Sequence, residues 1–361
     1  MLVCLSAATG PGFALAASAA AQPPPASTPA LTPAATSATA PDTPLPQCVV
    51  QDDRLAELSG LAADAEFRYA VADGGRRLQV VVLRPDCTVQ RVITAAVDPF
   101  DVEDLALGRD GRLWLADIGD NDRRRETVAL HVLPLDGGPP RLHRLAYPDG
   151  PHDAEALLLD GDGVPYVVTK ETLGSAGVYR PAGPLATPGP TPLELVARVR
   201  LGRTDTPGGP LGPLGSTLVT GGAGTADGRV VALRTYTDAY LFGVADGDLV
   251  AALGREPVRL PLPAEPQGEA IAFTPDGALL SASERADSGP QPIRAVPGAV
   301  ALVRPAAPAS VDPEPNGSAG AQAAAEPEPA GGGGLAGWQA VLIAVVAGAA
   351  VIVVASRLIR R

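Results

Sequence analysis

The feature that most constrains this chain is a unit that recurs through its middle. Four copies open with Leu58-Ser59-Gly60-Leu61-Ala62, Val102-Glu103-Asp104-Leu105-Ala106, Ala154-Glu155-Ala156-Leu157-Leu158 and Gly268-Glu269-Ala270-Ile271-Ala272. A divergent copy opens with Thr220-Gly221-Gly222-Ala223. Each opening leads through a small-apolar strand and a turn into a second apolar strand. Asp-Gly turns stand at Asp110-Gly111, Asp162-Gly163, Asp227-Gly228 and Asp276-Gly277, where glycine tolerates the positive φ of a tight hairpin. The second strands end at Ala72-Asp73, Ala116-Asp117, Thr169-Lys170, Arg234-Thr235 and Ser283-Glu284. A period of about 40–50 residues with several strands per unit is the pattern of propeller blades.

Strand alternation supports this. Leu193, Leu195, Ala197, Val199 and Leu201 are apolar at every second position, as are Val128, Leu130 and Val132, and Val258, Leu260 and Leu262. No segment between 48 and 304 shows a convincing helical period. The expected fold is therefore an all-β propeller of five four-stranded blades, over residues 47–304. Residues 181–215 have room for a sixth, although their Gly and Pro content reads as loop. The last unit supplies three strands, at 269–273, 278–283 and 299–304, so 48–52 is expected to add the fourth and close the ring.

Composition matters most at the two ends. Residues 1–21 are small and apolar and read as a signal-peptide-like leader. Residues 22–46 are rich in Pro, Ala and Thr and read as a solvated linker, as does the Pro/Ala/Gly-rich stretch 305–334. Residues 335–355 are apolar apart from Gln339, and a helix over 335–356 is long enough to cross a bilayer. Trp338 marks one edge, and Arg357, Arg360 and Arg361 mark the other. The positive-inside rule places the tail 357–361 in the cytoplasm and the repeat outside. The lipid bilayer is thus one expected partner, reached through a single C-terminal transmembrane helix.

The net charge of −12 argues against nucleic acid, which needs a basic face. It leaves metal cations open, and a small-molecule or protein ligand is the other expected partner. Cys48 and Cys87 remain after the leader. In an exported domain they form a disulfide, with two buried free thiols as the alternative.

The repeat superposes Glu103, Glu155 and Glu269 at one position near the axis of a propeller. Asp73, Asp117, Lys170 and Glu284 fall near the ends of the second strands, and Arg234 faces the same mouth. Carboxylates crowded on an axis repel one another. Bound Ca2+ held by Glu103, Glu155, Glu269 and Asp117 would compensate them. Ion pairs with Lys170 and Arg234 would do so as well. The run Asp117-Ile118-Gly119-Asp120-Asn121-Asp122 offers oxygen ligands, but without the spacing of an EF-hand; a polar turn after a buried strand is the favoured reading. Asp120 and Asn121 are placed at the channel mouth. Of the three histidines, His131 and His143 fall in outer strands, and His152 lies near the mouth as a candidate general base. No G-x-S-x-G, H-E-x-x-H or P-loop pattern is present.

The strings Val102-Glu103-Asp104-Leu105-Ala106 with Ala116-Asp117-Ile118-Gly119-Asp120-Asn121, and Gly268-Glu269-Ala270-Ile271-Ala272 with Ser283-Glu284, resemble the bacterial esterase-like phytase family of β-propellers. The resemblance covers about residues 54–284. It implies a calcium-bearing channel and, in some members, ester or phosphoester hydrolysis. The reading that follows is a membrane-anchored, extracytoplasmic propeller that binds a ligand, with a calcium-dependent esterase or phosphoesterase as the alternative.

Overall fold

The computed structural model describes residues 43–172, 175–262, 265–285 and 289–303. The strand β1 (Leu45–Val49) comes first in the chain and is used last. The first meander is β2 (Leu58–Ala63), β3 (Arg68–Ala72), β4 (Leu78–Leu83) and β5 (Val89–Ala95). The second is β6 (Val102–Leu107), β7 (Arg112–Asp117), β8 (Val128–Pro134) and β9 (Arg141–Ala146). The third is β10 (Ala154–Leu159), β11 (Pro165–Thr169), β12 (Ser175–Pro181) and β13 (Thr191–Arg200). The fourth is β14 (Val219–Gly224), β15 (Val230–Thr235), β16 (Asp238–Gly243) and β17 (Val258–Pro261). The fifth is β18 (Gln267–Phe273), β19 (Leu279–Glu284) and β20 (Pro292–Val296), completed by β1. The second and third meanders also touch at their outer edges, through a short parallel pairing of Thr191 with Leu145 and Pro192 with Ala146.

The apolar faces explain why these sheets assemble. Five apolar clusters are present, each shared by two neighbouring meanders. Leu105 and Leu115 meet Val71 and Val80 between the first and second. Leu130 meets Leu157 and Val167 between the second and third. Leu158 and Val168 meet Val231 and Leu233 between the third and fourth. Leu241 meets Ile271 and Leu279 between the fourth and fifth. Ala282 and Ile293 meet Leu58 and Leu61 between the fifth and first. The innermost strands touch in the same cyclic order, β2, β6, β10, β14, β18 and back to β2. This is the architecture of a β-propeller: sheets too narrow to bury their own faces bury them against the next sheet around an axis. Small residues at the axis permit the approach. A Cβ on Gly60 would stand 2.7 Å from the Leu105 backbone nitrogen.

Three details differ from the sequence expectation. The third strand of the last unit is β20, not 299–304. Gly298 adopts a left-handed φ of 63°, which ends the extended run, and Ala299–Leu302 curls into a 3-10 turn. The closing strand begins at Leu45, inside the stretch read as linker up to 46. Residues 181–215 hold no extra meander: β13 is the outermost strand of the third one, and 201–211 is loop. One short helix, Leu249–Leu253, is capped by Asp248, whose side chain accepts from the Ala251 amide. Among the described residues, no helix is long and apolar enough to cross a membrane. The leader 1–21, the linker 305–334, the span 335–356 and the tail 357–361 lie outside the described residues.

Cys48 and Cys87 form a disulfide with Cα atoms 5.6 Å apart. It fastens β1 to the turn between β4 and β5, across the seam where the ring closes. Linking residues 39 apart restricts the unfolded chain by about 4 kcal/mol in the chain-entropy treatment. Urea denaturation of the Cys48→Ser/Cys87→Ser protein is expected to show a loss of that order. A loss under about 1 kcal/mol would mean that the sheet pairing alone holds the seam.

Candidate functional site

All five inner strands begin with the same irregularity. The pairing register shifts between Leu58 and Gly60, Val102 and Asp104, Ala154 and Ala156, Val219 and Gly221, and Gly268 and Ala270. Each shift is a β-bulge with one extra residue, which re-aims a side chain out of the sheet alternation. The extra residues are Ser59, Glu103, Glu155, Thr220 and Glu269. All are buried. The two hydroxyls stitch neighbouring strands: Ser59 Oγ donates to the Glu103 carbonyl at 2.7 Å, and Thr220 Oγ1 to the Gly268 carbonyl at 2.9 Å.

The residue before each bulge pairs with Ala72, Asp117, Thr169, Thr235 and Ser283 in turn. The next position along the second strands is therefore Asp73, Ile118, Lys170, Tyr236 and Glu284. A third level lies two residues before each bulge, at Glu57, Asp101, Asp153, Leu218 and Gln267. Eight acidic residues, Glu57, Asp73, Asp101, Glu103, Asp153, Glu155, Glu269 and Glu284, thus stand on these levels with a single ammonium, Lys170, among them.

The mouth has two sides. On one, Asp73, Asp101 and Glu103 each present a carboxylate oxygen, all within 4.8 Å of one another. Gly119 makes this possible. A Cβ there would collide with Glu103 Oε1 and lie 2.6 Å from Asp101 Oδ2. Burial, a hydrogen bond shared with Asp73 and the Asp73 charge push the Asp101 carboxyl up to about 8. Burial and the charges of Glu155, Asp101, Asp73 and Glu269 push Glu103 well above the usual carboxylate range.

On the other side, Lys170 Nζ donates to Glu155 Oε1 at 2.6 Å and lies 5.2 Å from the Tyr236 ring centroid. Burial still outweighs the ammonium and pushes Glu155 up to about 8. Its second oxygen, Oε2, is buried and has no partner. Glu269 accepts from Gln267 Nε2 at 3.2 Å; burial and the Glu284 charge raise its pKa well above the usual range.

The space narrows away from the mouth. Asp104, one residue past the Glu103 bulge, accepts amide hydrogen bonds from Leu105 at 2.8 Å, Leu157 at 2.7 Å and Gly222 at 3.1 Å, tying three inner strands together. At the far ends of these strands, Arg109 donates to the carbonyls of Ala226 and Gly161 at 2.6 and 2.8 Å. These contacts draw three hairpin turns together at the end opposite the mouth.

Glu103, Glu155, Glu269, Asp73, Glu284 and Lys170 come together as neighbours on this mouth. Four other residues from the sequence reading do not. Asp117 is occupied rather than open to a metal. It accepts the amides of Asp101 at 3.0 Å and Phe100 at 3.1 Å, pairs with Arg125 at 2.9 Å and meets His131 Nε2 at 3.3 Å. Burial pushes its pKa up, but these partners outweigh it and hold the carboxyl below its ordinary value. Its register is one residue off that of Asp73, and a one-residue slip turns a strand side chain to the other face.

Arg234 is fully buried away from the mouth. It pairs with Glu265 at 2.7 Å and donates to the carbonyls of Ala270 and Ala282, clamping the fourth meander to the fifth. Asn121 is exposed. Asp120 is buried in its own loop, where it accepts the Arg125 amide at 2.7 Å. His152 lies beside the mouth, with Nδ1 3.2 Å from Glu171 and Nε2 3.0 Å from Asp149 and 3.1 Å from the Tyr179 hydroxyl.

Asp101 and Tyr236 are additions that the sequence reading did not single out. An acid two residues before the bulge recurs in three of the five units, at Glu57, Asp101 and Asp153, and was the available signal for Asp101.

No family model matches the chain, and a comparison with curated proteins finds no match. Among solved structures, the chain is similar to a streptogramin B lyase, at 11% identity and a TM-score of 0.31, over 66% of this chain and 64% of that one. It is similar to virginiamycin B lyase from Staphylococcus aureus, at 11% identity and a TM-score of 0.33, over 66% of each chain. It thus spans just under two thirds of the length of these lyases. A gluconolactonase from Xanthomonas campestris matches at 14% identity and a TM-score of 0.40, over 72% of this chain and 98% of that one.

The raised carboxyls make a test by pH. Asp101 and Glu155 hold protons up to about 8 in the folded chain, against values near 4 when unfolded. Between those values the folded state binds more protons than the unfolded state, so stability falls as pH rises. In chelating buffer, the melting temperature is expected to drop between about pH 5 and about pH 8. Asp101→Asn/Glu155→Gln should flatten the profile. A flat wild-type profile would show that the mouth is not under this charge load.

Proposed function

We propose that this chain is a membrane-anchored, extracytoplasmic propeller of five four-stranded blades whose mouth holds Ca2+ and binds a ligand there. The observation that carries the reading is the convergence of Asp73, Asp101 and Glu103, with their carboxylate oxygens within 4.8 Å of one another. Oxygens on opposite sides of one calcium ion, each about 2.4 Å from it, stand about 4.8 Å apart. The chemistry of the donor set fits: hard carboxylate oxygens suit Ca2+, and soft ligands are absent from the cluster.

A second observation supports a cation in the same space. Glu155 Oε2 is buried without a partner, although the residue is only 2% exposed. An orphan carboxylate oxygen in an acidic mouth is costly unless something positive or protonated meets it. Asp73, Asp101 and Glu103 would hold the ion, with Glu155 and Glu269 on the opposite side of the mouth. Asp117 acts behind them by fixing the backbone of Asp101.

Hydrolysis of the esterase-like phytase type is the alternative, with His152 beside the mouth between Glu171 and Asp149. The extracytoplasmic placement is supported by the Cys48–Cys87 disulfide, a bond that persists in oxidising compartments. It agrees with the leader 1–21 and the anchor 335–356 read from the sequence.

Calorimetry on the full chain in detergent is expected to show Ca2+ uptake and a chelator-sensitive melting shift. Asp101→Asn should weaken Ca2+ binding by about tenfold or more, equivalent to about 1.4 kcal/mol. Gly119→Ala should do the same by forcing the two carboxylates apart. The absence of both heat and melting shift in the wild type would end the cation reading. Turnover of esters or phosphoesters by the loaded protein would move the assignment to a hydrolase.

A further inference from the structure

Beside the acid cluster, a cleft of about 440 Å3 opens along the first meander. One part of its lining is Asp73, a member of the carboxylate cluster. Another is Arg76 and Arg77, on the turn between β3 and β4. Both arginines are exposed, and neither has a hydrogen-bond or ion-pair partner among the described residues. Nearby arginines are engaged. Arg54, also in the cleft, pairs with Asp52 at 2.6 Å, and Arg285 pairs with Asp53 at 2.7 Å.

The backbone brings the two free guanidiniums to this place. Gly74 and Gly75 precede them with φ of 76° and 91°, and a Cβ at either position would meet nothing within 4 Å. These glycines are required by the path of the turn and not by packing. On the other side of Arg76 and Arg77, a second hollow is lined by residues 94–98. The two side chains line both hollows, and although Asp98 lines the second and Glu57 and Asp73 the first, no carboxylate among the described residues pairs with either guanidinium. In a protein of net charge −12, an adjacent unpaired pair of guanidiniums beside an acidic cluster is a local reversal of sign.

The geometry points to a binding site for a small ligand with one carboxylate. The carboxylate sits on Arg76 and Arg77, and a neighbouring ligand oxygen reaches the cation held by Asp73, Asp101 and Glu103. The guanidinium fork matches a carboxylate in bidentate geometry. The acids that share the cleft favour a monoanion over a polyanion. Glu57 and Asp73 line the same cleft and offset the two guanidiniums, so a polyanion meets these acids and those of the mouth. The volume lies in the range of small-molecule sites, about 300–1,000 Å3. The ligand's second contact rests on the cation reading above; the arginine contact does not.

The test uses salicylate, a rigid monocarboxylate with one neighbouring hydroxyl, and inorganic phosphate as the polyanion. Each is titrated by calorimetry into the full chain in detergent, with and without Ca2+. Wild type is compared with Arg76→Gln/Arg77→Gln, which removes charges from exposed positions and leaves the acid cluster untouched. The variant is expected to keep its Ca2+ affinity within about twofold and to lose about tenfold or more in salicylate affinity. Phosphate is expected to bind more weakly than salicylate. Equal salicylate binding by the two proteins, no salicylate heat from the Ca2+-loaded wild type, or tighter binding of phosphate would overturn the inference. If wild type takes up no Ca2+ but salicylate binding still depends on Arg76 and Arg77, the cation reading falls and the carboxylate site stands on the arginines alone.

Discussion

The arrangement at the mouth depends on one backbone constraint: each inner strand carries one residue more than its partner. In a regular strand, successive side chains alternate between faces, and every glutamate at these positions would compete for a place in an apolar seam. The bulge removes that residue from the alternation and turns it toward the axis. The following residues then resume the pattern and feed the seams between sheets, as Leu61, Leu105 and Leu157 do. The same device therefore serves the core and the mouth. Where the extra residue is Ser59 or Thr220, its hydroxyl binds the next strand; where it is glutamate, a charge is left to be compensated.

Compensation is divided unevenly. Lys170 reaches Glu155 through one oxygen, and Glu269 leans on Gln267. Among the described residues no cation pairs with Asp73, Asp101 or Glu103, and these carboxylates are held close by the surrounding structure. Asp117 fixes the backbone of Asp101 from behind while Arg125 and His131 hold Asp117. Gly119 leaves the space in front. Like charges kept together by rigid neighbours store electrostatic work that a divalent ion can relieve. An ion-paired surface would have no need of such reinforcement.

Much of this was legible in the sequence, because the repeat is written in residues that the backbone requires. The openings marked the inner strands, the Asp-Gly pairs marked the turns between them, and the last unit's missing strand pointed to the segment that contains Cys48. What was not legible was register. Strings of apolar residues do not disclose a bulge, so Asp117 was superposed on Asp73 when its true counterpart is Ile118. Arg234 was likewise set at the mouth, where Tyr236 stands, because nothing local marks a guanidinium whose partners are the Glu265 carboxylate and carbonyls of another sheet. The apolar run 299–304 has strand-like composition, yet Gly298 turns the chain before it can pair. Asp101 escaped notice because only three of the five units place an acid two residues ahead of the bulge.

The closing strand has a consequence for the order in which the molecule is built. β1 leaves the ribosome before the other strands of the described residues, but its partner β20 is made almost 250 residues later. For most of synthesis it is an unpaired edge, the kind of segment that invites wrong partners. Cys87, however, follows Cys48 by only 39 residues, so the bond between them needs only the first meander. Formed early, it moors the waiting strand at the site where the last sheet will arrive, and a search through the volume explored by a long chain becomes a local docking step.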